Sequence, residues 1–390
     1  MASGERPLAP RAVDDVRAAF SKRVFVVAGM HRAGTSVVAR GLQALGIDLG
    51  EQLMPANPQM NARGFFEDLD IVRIDDAVLR ALGADWKNVA LLDTIEWGAP
   101  MLSGLRSEAV ALLDARLQRC GCFGFKDPRV PRLLPFWQSV IAELRAADAY
   151  VVAVRHPLSV IDSLMARDRL DARRSAWLWL GHLLCALHYT GGRPRVVVDY
   201  DRLLAAPERE LARIARGFGL PASAAVSEGA VAYSREFLSS ELRHAEHTPA
   251  EIDANAVPPL VRDAYRLAQR LATDEADAHS TAVREEVGDL FGRLAAFSPL
   301  LAYAGAVECA ADEVPRLEGE LSWARSSLGQ ATAYSKSLEA AVRTAQEYSD
   351  SLKAALDRKE EELLRAHAVL ARVRKSLVGR VLVRRITGGR

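Results

Sequence analysis

The run GMHRAGTS at 29–36 has the residue types and spacing of an anion-binding loop. Gly29 and Gly34 stand as the two glycines do in phosphate-binding loops of the form G-x-x-x-x-G. A nucleoside triphosphatase has a lysine directly after the second glycine, whereas this chain has Thr35 there. The nearest cation is Arg32, inside the loop. The pattern predicts a site for a phosphate-like ligand in which the positive charge comes from Arg32 inside the loop and not from a lysine after it.

The flanks of this loop predict a strand before it and a helix after it. Residues 23–29 (RVFVVAG) are a short apolar run rich in β-branched residues, which is typical of a buried parallel strand. Residues 35–47 carry apolar side chains at helical spacing. In a strand–loop–helix unit the loop N–H groups and the positive end of the helix dipole point at one anion. The alternative is an ordinary glycine-rich turn.

Composition indicates a folded protein large enough for one α/β domain and an additional segment. The 390 residues include 51 basic and 50 acidic side chains, so the net charge does not favour nucleic acid as a partner. The first 15 residues contain no apolar stretch of a signal peptide, and we expect a cytoplasmic protein. The four cysteines have no metal-binding spacing and are expected to be reduced core thiols; they are Cys120, Cys122, Cys185 and Cys309.

Strand-like runs alternate with helical ones over the first part of the chain. Three further strands are predicted at 121–125, 149–154 and 194–200, with helices at 107–120 and 134–147 between them. This alternation predicts an α/β fold with a mostly parallel sheet covered by helices. Because ligands of such sheets bind beyond the carboxyl ends of the strands, the charged residues that follow each strand are expected to converge.

The chain becomes largely helical from about residue 205 to 300. Residues 203–221 predict one helix that ends at Gly219 and Pro221. The 14-residue apolar run at 176–189 is too short to cross a bilayer and predicts a buried core helix.

The C-terminal part predicts a long helix with a coiled-coil seam. From Leu317 to Leu377 apolar residues follow alternating steps of four and three, and three of the positions are polar. This seam could pair with a second copy of the chain or with another helix, or a solvated helix could pack back on the domain. The predicted divisions are an N-terminal extension at 1–21, a phosphate-loop domain at 22–310, a coiled coil at 314–378 and a basic tail at 379–390. The tail could contact an anionic membrane surface or remain solvated.

A second anion-binding element is predicted after the third strand. Arg155 follows the strand at once, Pro157 fixes the turn, and Ser163 lies about two helical turns further on. An arginine fork and a helical hydroxyl suit a phosphate. Together with the first loop, this element suits a ligand with two separate anionic ends.

These motifs resemble those of the sulfotransferases that use 3′-phosphoadenosine-5′-phosphosulfate (PAPS). RAGTS at 32–36 is similar to their 5′-phosphosulfate loop, and RHPLSVIDS at 155–163 is similar to their 3′-phosphate element. FKDPR at 125–129 resembles a strand end of the tyrosylprotein type, and YDRLL at 200–204 resembles a segment whose tyrosine lies near the adenine. The resemblance covers roughly residues 22–245 and does not include the coiled coil.

The resemblance implies a role for each matching residue. Arg32 and the backbone of Ala33, Gly34, Thr35 and Ser36 would hold the 5′-phosphosulfate. Arg155 and Ser163 would hold the 3′-phosphate, and Tyr200 would lie near the base.

Lys126 would stabilise the charge that develops on the transferred group, and the alternative is a surface cation in a turn. The sequence leaves two candidates for the general base. Glu67 is favoured, Glu51 is the alternative, and either could be a solvated loop carboxylate. Arg243 is a further candidate for the 3′-phosphate, and His31 is assigned no chemistry.

The resulting function hypothesis is transfer of a sulfuryl group from PAPS to a hydroxyl, with a carbohydrate as the acceptor that the resemblance implies. No metal is expected, because side-chain cations can neutralise the smaller charge of this group. One alternative is a phosphate-loop kinase or nucleotide hydrolase, against which the missing lysine counts. Another is a non-catalytic interaction protein that acts through its coiled coil.

Overall fold

A computed structural model describes residues 22–57, 64–221, 224–237, 247–254 and 257–376, together with 381, 385 and 386. The extension 1–21, Arg243, Leu377 and most of the basic tail lie outside the described residues. By internal contacts the chain divides into two units, Met1–Val307 and Glu308–Arg390.

The sheet of the first unit has four parallel strands in the order β2-β1-β3-β4. Arg23 of β1 pairs with Cys122 of β2 on one side and with Ala147 of β3 on the other, and Tyr150 of β3 pairs with Arg195 of β4. The strands are β1 (Arg23–Ala28), β2 (Cys122–Lys126), β3 (Ala147–Val154) and β4 (Arg195–Asp199). The predicted α/β class with a parallel sheet is confirmed.

Helices connect the strands and continue after the last one. In chain order they are α1 (Thr35–Ala44), α2 (Leu69–Ala81), a 3₁₀ turn (Pro100–Leu102), α3 (Ser103–Cys120), α4 (Val130–Glu143), α5 (Pro157–Asp168), α6 (Ala172–Tyr189), α7 (Tyr200–Ala205), α8 (Pro207–Phe218), α9 (Ala224–Ala232), a π-helical turn (Tyr233–Phe237), α10 (Glu251–Ala254), α11 (Pro259–Ala272) and α12 (Thr281–Lys375).

Alternate residues of each strand enter two different cores, so the sheet is covered on both faces. Val24 and Val26 belong to the core built with α2 to α6 and α11, whereas Phe25 and Val27 belong to the core built with α1 and α8. This follows from the two-residue period of a strand. It explains why the strands are almost continuously apolar.

The predicted core helix at 176–189 is confirmed. It forms most of α6, and its residues from Leu178 to Leu187 are all buried.

The prediction of one helix at 203–221 is wrong. The chain forms α7 and α8 instead, and the break is at Ala206, whose φ of −144° is not helical. Pro207 is the cause, because it has no N–H to continue the first helix and favours the first turn of a new one. The second helix does end at Gly219, whose φ is +64°.

The long C-terminal helix is confirmed, but it begins much earlier than residue 314. Within the first unit, its residues Val283, Val287, Leu290 and Leu294 are buried at helical spacing. The segment Thr281–Val307 has a mean hydropathy of 1.4 in its most apolar window and is, by length and composition only, long and apolar enough to span a membrane. Its buried stripe is that of a helix packed on a protein core.

Candidate active site

The loop at 29–34 takes the backbone path that its glycines permit. Gly34 has a φ of +83°, and a Cβ there would lie 2.2 Å from Cδ2 of Tyr200. A Cβ on Gly29 would lie 2.8 Å from the carbonyl oxygen of Ala153. Only glycine fits either position. Arg32 also has a positive φ, of 67°. The loop therefore packs against β3 and against the residue that follows β4.

The parallel sheet brings the other predicted elements to the same edge as this loop. Lys126 is the last residue of β2, Arg155 directly follows β3, and Tyr200 directly follows β4. With β1 between β2 and β3, Lys126 lies on one side of the loop and Arg155 on the other. The convergence expected from the strand order is thus observed, and it rests on the topology of the sheet.

On the β3 side, four predicted residues contact one another. Arg32 Nε donates to Ser163 Oγ at 2.6 Å, and Arg155 Nη1 donates to the carbonyl oxygen of Arg32 at 3.3 Å. The Arg155 guanidinium carbon lies 4.7 Å from the ring centroid of Tyr200. Arg155 and Tyr200 are both buried. Two arginines, a hydroxyl and an aromatic ring therefore lie together on this side of the loop.

This side of the site carries a concentrated positive charge. Burial lowers the pKa of Arg32, and the neighbouring Arg167 and Arg155 lower it further. Asp168 accepts a hydrogen bond from Arg167 Nε at 2.7 Å and partly compensates the charge. Like charges held close together in a partly buried place favour an anionic ligand.

On the β2 side, Lys126 contacts Glu67. The Lys126 ammonium forms an ion pair with Glu67 Oε1 and donates to the carbonyl oxygen of Phe65 at 3.1 Å and to Ser36 Oγ at 3.4 Å. Lys126 and Glu67 are only 2% and 5% exposed. Lys126 is therefore a buried cation and not the surface cation of the alternative interpretation.

The backbone around Glu67 is unusual. Gly64 has a φ of +94° and Phe66 one of +55°, which is rare for a non-glycine residue. On the far side, Asp68 caps α2 by accepting from the N–H of Asp70 at 3.0 Å and pairs with Arg116 at 3.1 Å. These contacts hold Asp68, the residue that follows Glu67, at the start of α2.

Glu51, the alternative base, lies elsewhere. Its side chain is 81% exposed and pairs with Arg119 at 2.7 Å. The structure therefore assembles Glu67 with Lys126 and Ser36, and it places Glu51 in a surface ion pair.

A buried network of acids lies behind Lys126. Asp127 accepts hydrogen bonds from the N–H and Nη1 of Arg129, both at 2.7 Å, and burial raises its pKa to about 6. Asp75 accepts from Trp137 Nε1 at 2.8 Å, and burial together with the charge of Asp127 holds its pKa well above the ordinary value.

Sequence reasoning missed Arg167 and Trp86, which both lie near His31 of the loop. Arg167 lies one helical turn after Ser163, so the spacing of four residues was a usable signal. The His31 ring lies 4.4 Å from that of Trp86, and the Arg167 guanidinium lies 5.9 Å from the Trp86 ring. Burial and the charges of Arg167 and Arg129 hold the pKa of His31 well below its ordinary value. Trp86 comes from a distant loop and gave no local signal.

The described residues contain no group of three or more His, Cys, Asp or Glu side chains placed to hold a metal ion. Among them Cys120, Cys122 and Cys185 are buried free thiols, and burial raises the pKa of Cys122 to about 11.

Nine chains of solved structures are similar to this chain, and three of them are sulfotransferase structures that illustrate the likeness. No protein-family model matches the sequence, and no curated protein is significantly similar to it. The sulfotransferase STF1 of Mycobacterium tuberculosis H37Rv is 17% identical, with a TM-score of 0.33, over 58% of this chain and 74% of that one.

Two further similar structures are also sulfotransferase domains. The sulfotransferase domain of the curacin biosynthetic pathway is 14% identical, with a TM-score of 0.33, over 66% of this chain and 98% of that one. The sulfotransferase domain of the Synechococcus PCC 7002 olefin synthase is 17% identical, with a TM-score of 0.34, over 70% and 94%. At such values an activity for this chain must be argued from its own residues.

Proposed function

We propose that this protein is a sulfotransferase that moves a sulfuryl group from PAPS to an acceptor hydroxyl. The observation that carries the proposal is the arrangement of two cationic elements around one glycine loop. Arg155, Ser163 and Tyr200 lie on one side of the loop, and Lys126 lies on the other with Glu67. A donor with a 3′-phosphate and a separate 5′-phosphosulfate requires two such elements.

The residues that would hold the donor are available at the carboxyl edge of the sheet. Arg32 and the N–H groups at the start of α1 would bind the 5′-phosphosulfate, with Thr35 and Ser36 adding hydroxyls. Arg155 and Ser163 would bind the 3′-phosphate, and Tyr200 would contact the base. PAPS, when bound, supplies a sulfuryl group on a phosphate leaving group.

The protein's own chemistry is then proton transfer and charge stabilisation. Glu67 would accept the proton of the acceptor hydroxyl as its oxygen bonds to sulfur. Lys126, a few ångströms from both Glu67 and the loop hydroxyl of Ser36, would stabilise the negative charge on the oxygen that leaves with the phosphate. The sulfur–oxygen bond to the donor phosphate breaks, and the products are the sulfated acceptor and adenosine 3′,5′-bisphosphate.

A carbohydrate hydroxyl is the acceptor class that we propose, on the basis of the resemblance to carbohydrate and tyrosylprotein sulfotransferases. Mass spectrometry of host-cell glycans with and without the gene tests it. Sulfated glycans that disappear with the gene are expected, and an unchanged glycan profile with a lost sulfated protein or lipid would contradict it.

Ligand-induced thermal stabilisation tests the donor assignment. Adenosine 3′,5′-bisphosphate should raise the melting temperature of the full chain, and ATP with magnesium should not. The Arg155→Ala variant should lose most of this shift, whereas Arg106→Ala, which removes an exposed ion pair with Glu143, should keep it. Stabilisation by ATP–magnesium alone would favour a kinase or hydrolase, and no response to either ligand would favour an interaction protein.

A further inference from the structure

The long helix α12 carries an apolar stripe that a single helix cannot bury. The seam runs from Val314 to Val373 in steps of three and four, and its leucines and valines are 47–69% exposed. An exposed stripe of this length requires another helix. The seam positions are Val314, Leu317, Leu321, Ala324, Leu328, Ala331, Ser335, Leu338, Val342, Ala345, Ser349, Leu352, Leu356, Lys359, Leu363, Ala366, Leu370 and Val373.

Small residues in the seam argue against a parallel pair of identical helices. In a parallel, in-register pair each seam residue faces its own copy. The alanines and serines would then form layers with too little volume, which leaves cavities, and Lys359 would face a second lysine.

An antiparallel pair avoids both the layers of small residues and the contact between two lysines. A two-fold axis between Arg343 and Thr344 places every small seam residue opposite a large one of the second copy. The facing pairs are Leu321 with Ala366, Ala324 with Leu363, Ala331 with Leu356, Ser335 with Leu352, Leu338 with Ser349, and Val342 with Ala345. These six layers then each combine one large and one small residue, so their volumes are similar, which close packing requires. Nearer the ends of the seam, Val314 faces Val373 and Leu317 faces Leu370 in two larger apolar layers. Lys359 faces Leu328, where its aliphatic stem can pack while the ammonium reaches water.

The residues beside the seam agree with the same register. Arg325 comes opposite Glu360 of the second copy, which places unlike charges together. Tyr334 comes opposite Ala355, and Tyr348 comes opposite Ala341, so each tyrosine meets a residue that leaves it space.

Neighbouring registers fit less well. A shift of one heptad in one direction brings Ala345 opposite Ser349. A shift in the other direction brings Ser335 opposite Ala345 and Ala331 opposite Ser349. Either shift restores small–small layers.

We propose that α12 pairs with α12 of a second copy of this chain as an antiparallel, two-stranded coiled coil whose axis passes between Arg343 and Thr344. This inference is independent of the proposed enzymatic function. Light scattering of the full chain should give twice the 42.5 kDa mass of one chain. A monomer across the micromolar range, or a trimer, overturns the proposal.

Cysteine cross-linking of the full chain tests the orientation. The double variant Ala331→Cys/Leu356→Cys should form a disulfide-linked dimer under mild oxidation, and Ala331→Cys alone should not. The unsubstituted chain sets the background from its own four cysteines. Cross-linking by Ala331→Cys alone indicates parallel helices, and a dimer in which neither variant cross-links indicates another register; both results overturn the proposal.

A charge exchange provides a second test. Arg325→Glu should weaken dimerisation about tenfold, because two attractive pairs become repulsive, and adding Glu360→Arg should restore it. In a parallel pair Arg325 would lie near Glu320 of the second copy, so Glu320→Arg would be the restoring change. Rescue by Glu320→Arg and not by Glu360→Arg overturns the antiparallel arrangement.

Discussion

At the scale of single residues, the ion pair between Lys126 and Glu67 is the most informative feature of the site. Both side chains are almost completely buried, and the pair lies against Ser36 at the start of α1. A buried pair is costly to desolvate and is weak evidence for stability by itself. Its place beside a loop that suits anions therefore favours a chemical role.

We expect Glu67→Gln to lower kcat at least about 100-fold, because a neutral amide cannot accept the acceptor proton. The same change should lower the free energy of unfolding, since Lys126 keeps its charge without its buried partner. Steady-state kinetics with PAPS, at a temperature where the variant is folded, measures the first effect.

Glu51→Gln is the matched control and should leave kcat unchanged, because the Glu51 side chain is exposed and paired with Arg119. If Glu51→Gln abolishes turnover while Glu67→Gln retains it, the assignment of the base is wrong.

The glycine at the end of the loop gives a second residue-scale prediction. Gly34→Ala should abolish binding of adenosine 3′,5′-bisphosphate, because the added Cβ would collide with the Tyr200 ring and the backbone has a left-handed φ. Isothermal titration calorimetry measures the loss.

Gly83→Ala separates the effect of the left-handed φ from the effect of the collision with Tyr200. Gly83 has a φ of +66°, but a Cβ there meets nothing within 4 Å. It should cost roughly 1 kcal/mol of stability and leave binding intact. Equal nucleotide affinity in Gly34→Ala and the unsubstituted protein would exclude the contact between loop and Tyr200 as part of the site.

At the scale of secondary-structure elements, the end of β4 shows how one residue can serve two purposes. Asp199 ends the strand and caps α7 by accepting from the N–H of Arg202 at 2.9 Å. It is buried, and burial raises its pKa to about 6 although this hydrogen bond opposes the shift. The carboxyl group therefore binds a proton more readily in the folded protein than in the unfolded chain.

This raised pKa predicts a pH dependence of stability. Between about pH 4 and pH 6 the folded state holds more protons at Asp199 than the unfolded state, so its contribution to the free energy of unfolding falls as the pH rises, by at most about 1.4 kcal/mol per pH unit. Asp199→Asn keeps a good helix cap and should remove this slope, which urea titrations at several pH values measure.

Asp199→Ala is the companion variant. It should remove the slope and also cost about 1 kcal/mol, because it loses the cap. An unchanged slope in both variants would mean that other buried acids, such as Asp127, set the pH dependence.

The sequence allowed the elements that position the site to be predicted well. Short apolar runs identified all four strands to within two residues at each end, because a strand buried on both faces leaves little room for polar residues. The charged residues at the strand ends indicated Lys126 and Arg155, and the resemblance of YDRLL indicated Tyr200. The break before Pro207 was missed, although proline supplied the local signal.

Contacts between distant segments could not be predicted. The approach of Trp86 to His31 and the ion pair between Glu67 and Lys126 depend on loops whose paths follow from tertiary packing. Spacing alone could not separate Glu67 from Glu51, since both are glutamates in loops after the first helix.

At the scale of the whole molecule, the division into two units predicts that the first unit folds and binds nucleotide without the second. Removing residues 308–390 should leave a folded protein that still binds adenosine 3′,5′-bisphosphate, because the buried residues of α12 in the first unit, from Val283 to Leu301, are retained. The truncated chain should be a monomer. Thermal melting with and without the nucleotide, together with light scattering, measures these outcomes. A truncated chain that is insoluble or does not bind the nucleotide would contradict the division into two units.

The order of strands in the sheet also determines when β1 can meet its partner strands during synthesis. The central strand β1 is made first, yet its neighbours Cys122 and Ala147 emerge from the ribosome roughly a hundred residues or more later. Until then, the apolar stretch Val24–Ala28 has no edge to join and is open to unwanted association. The nascent chain is therefore open to association with other chains until β2 and β3 have both been made.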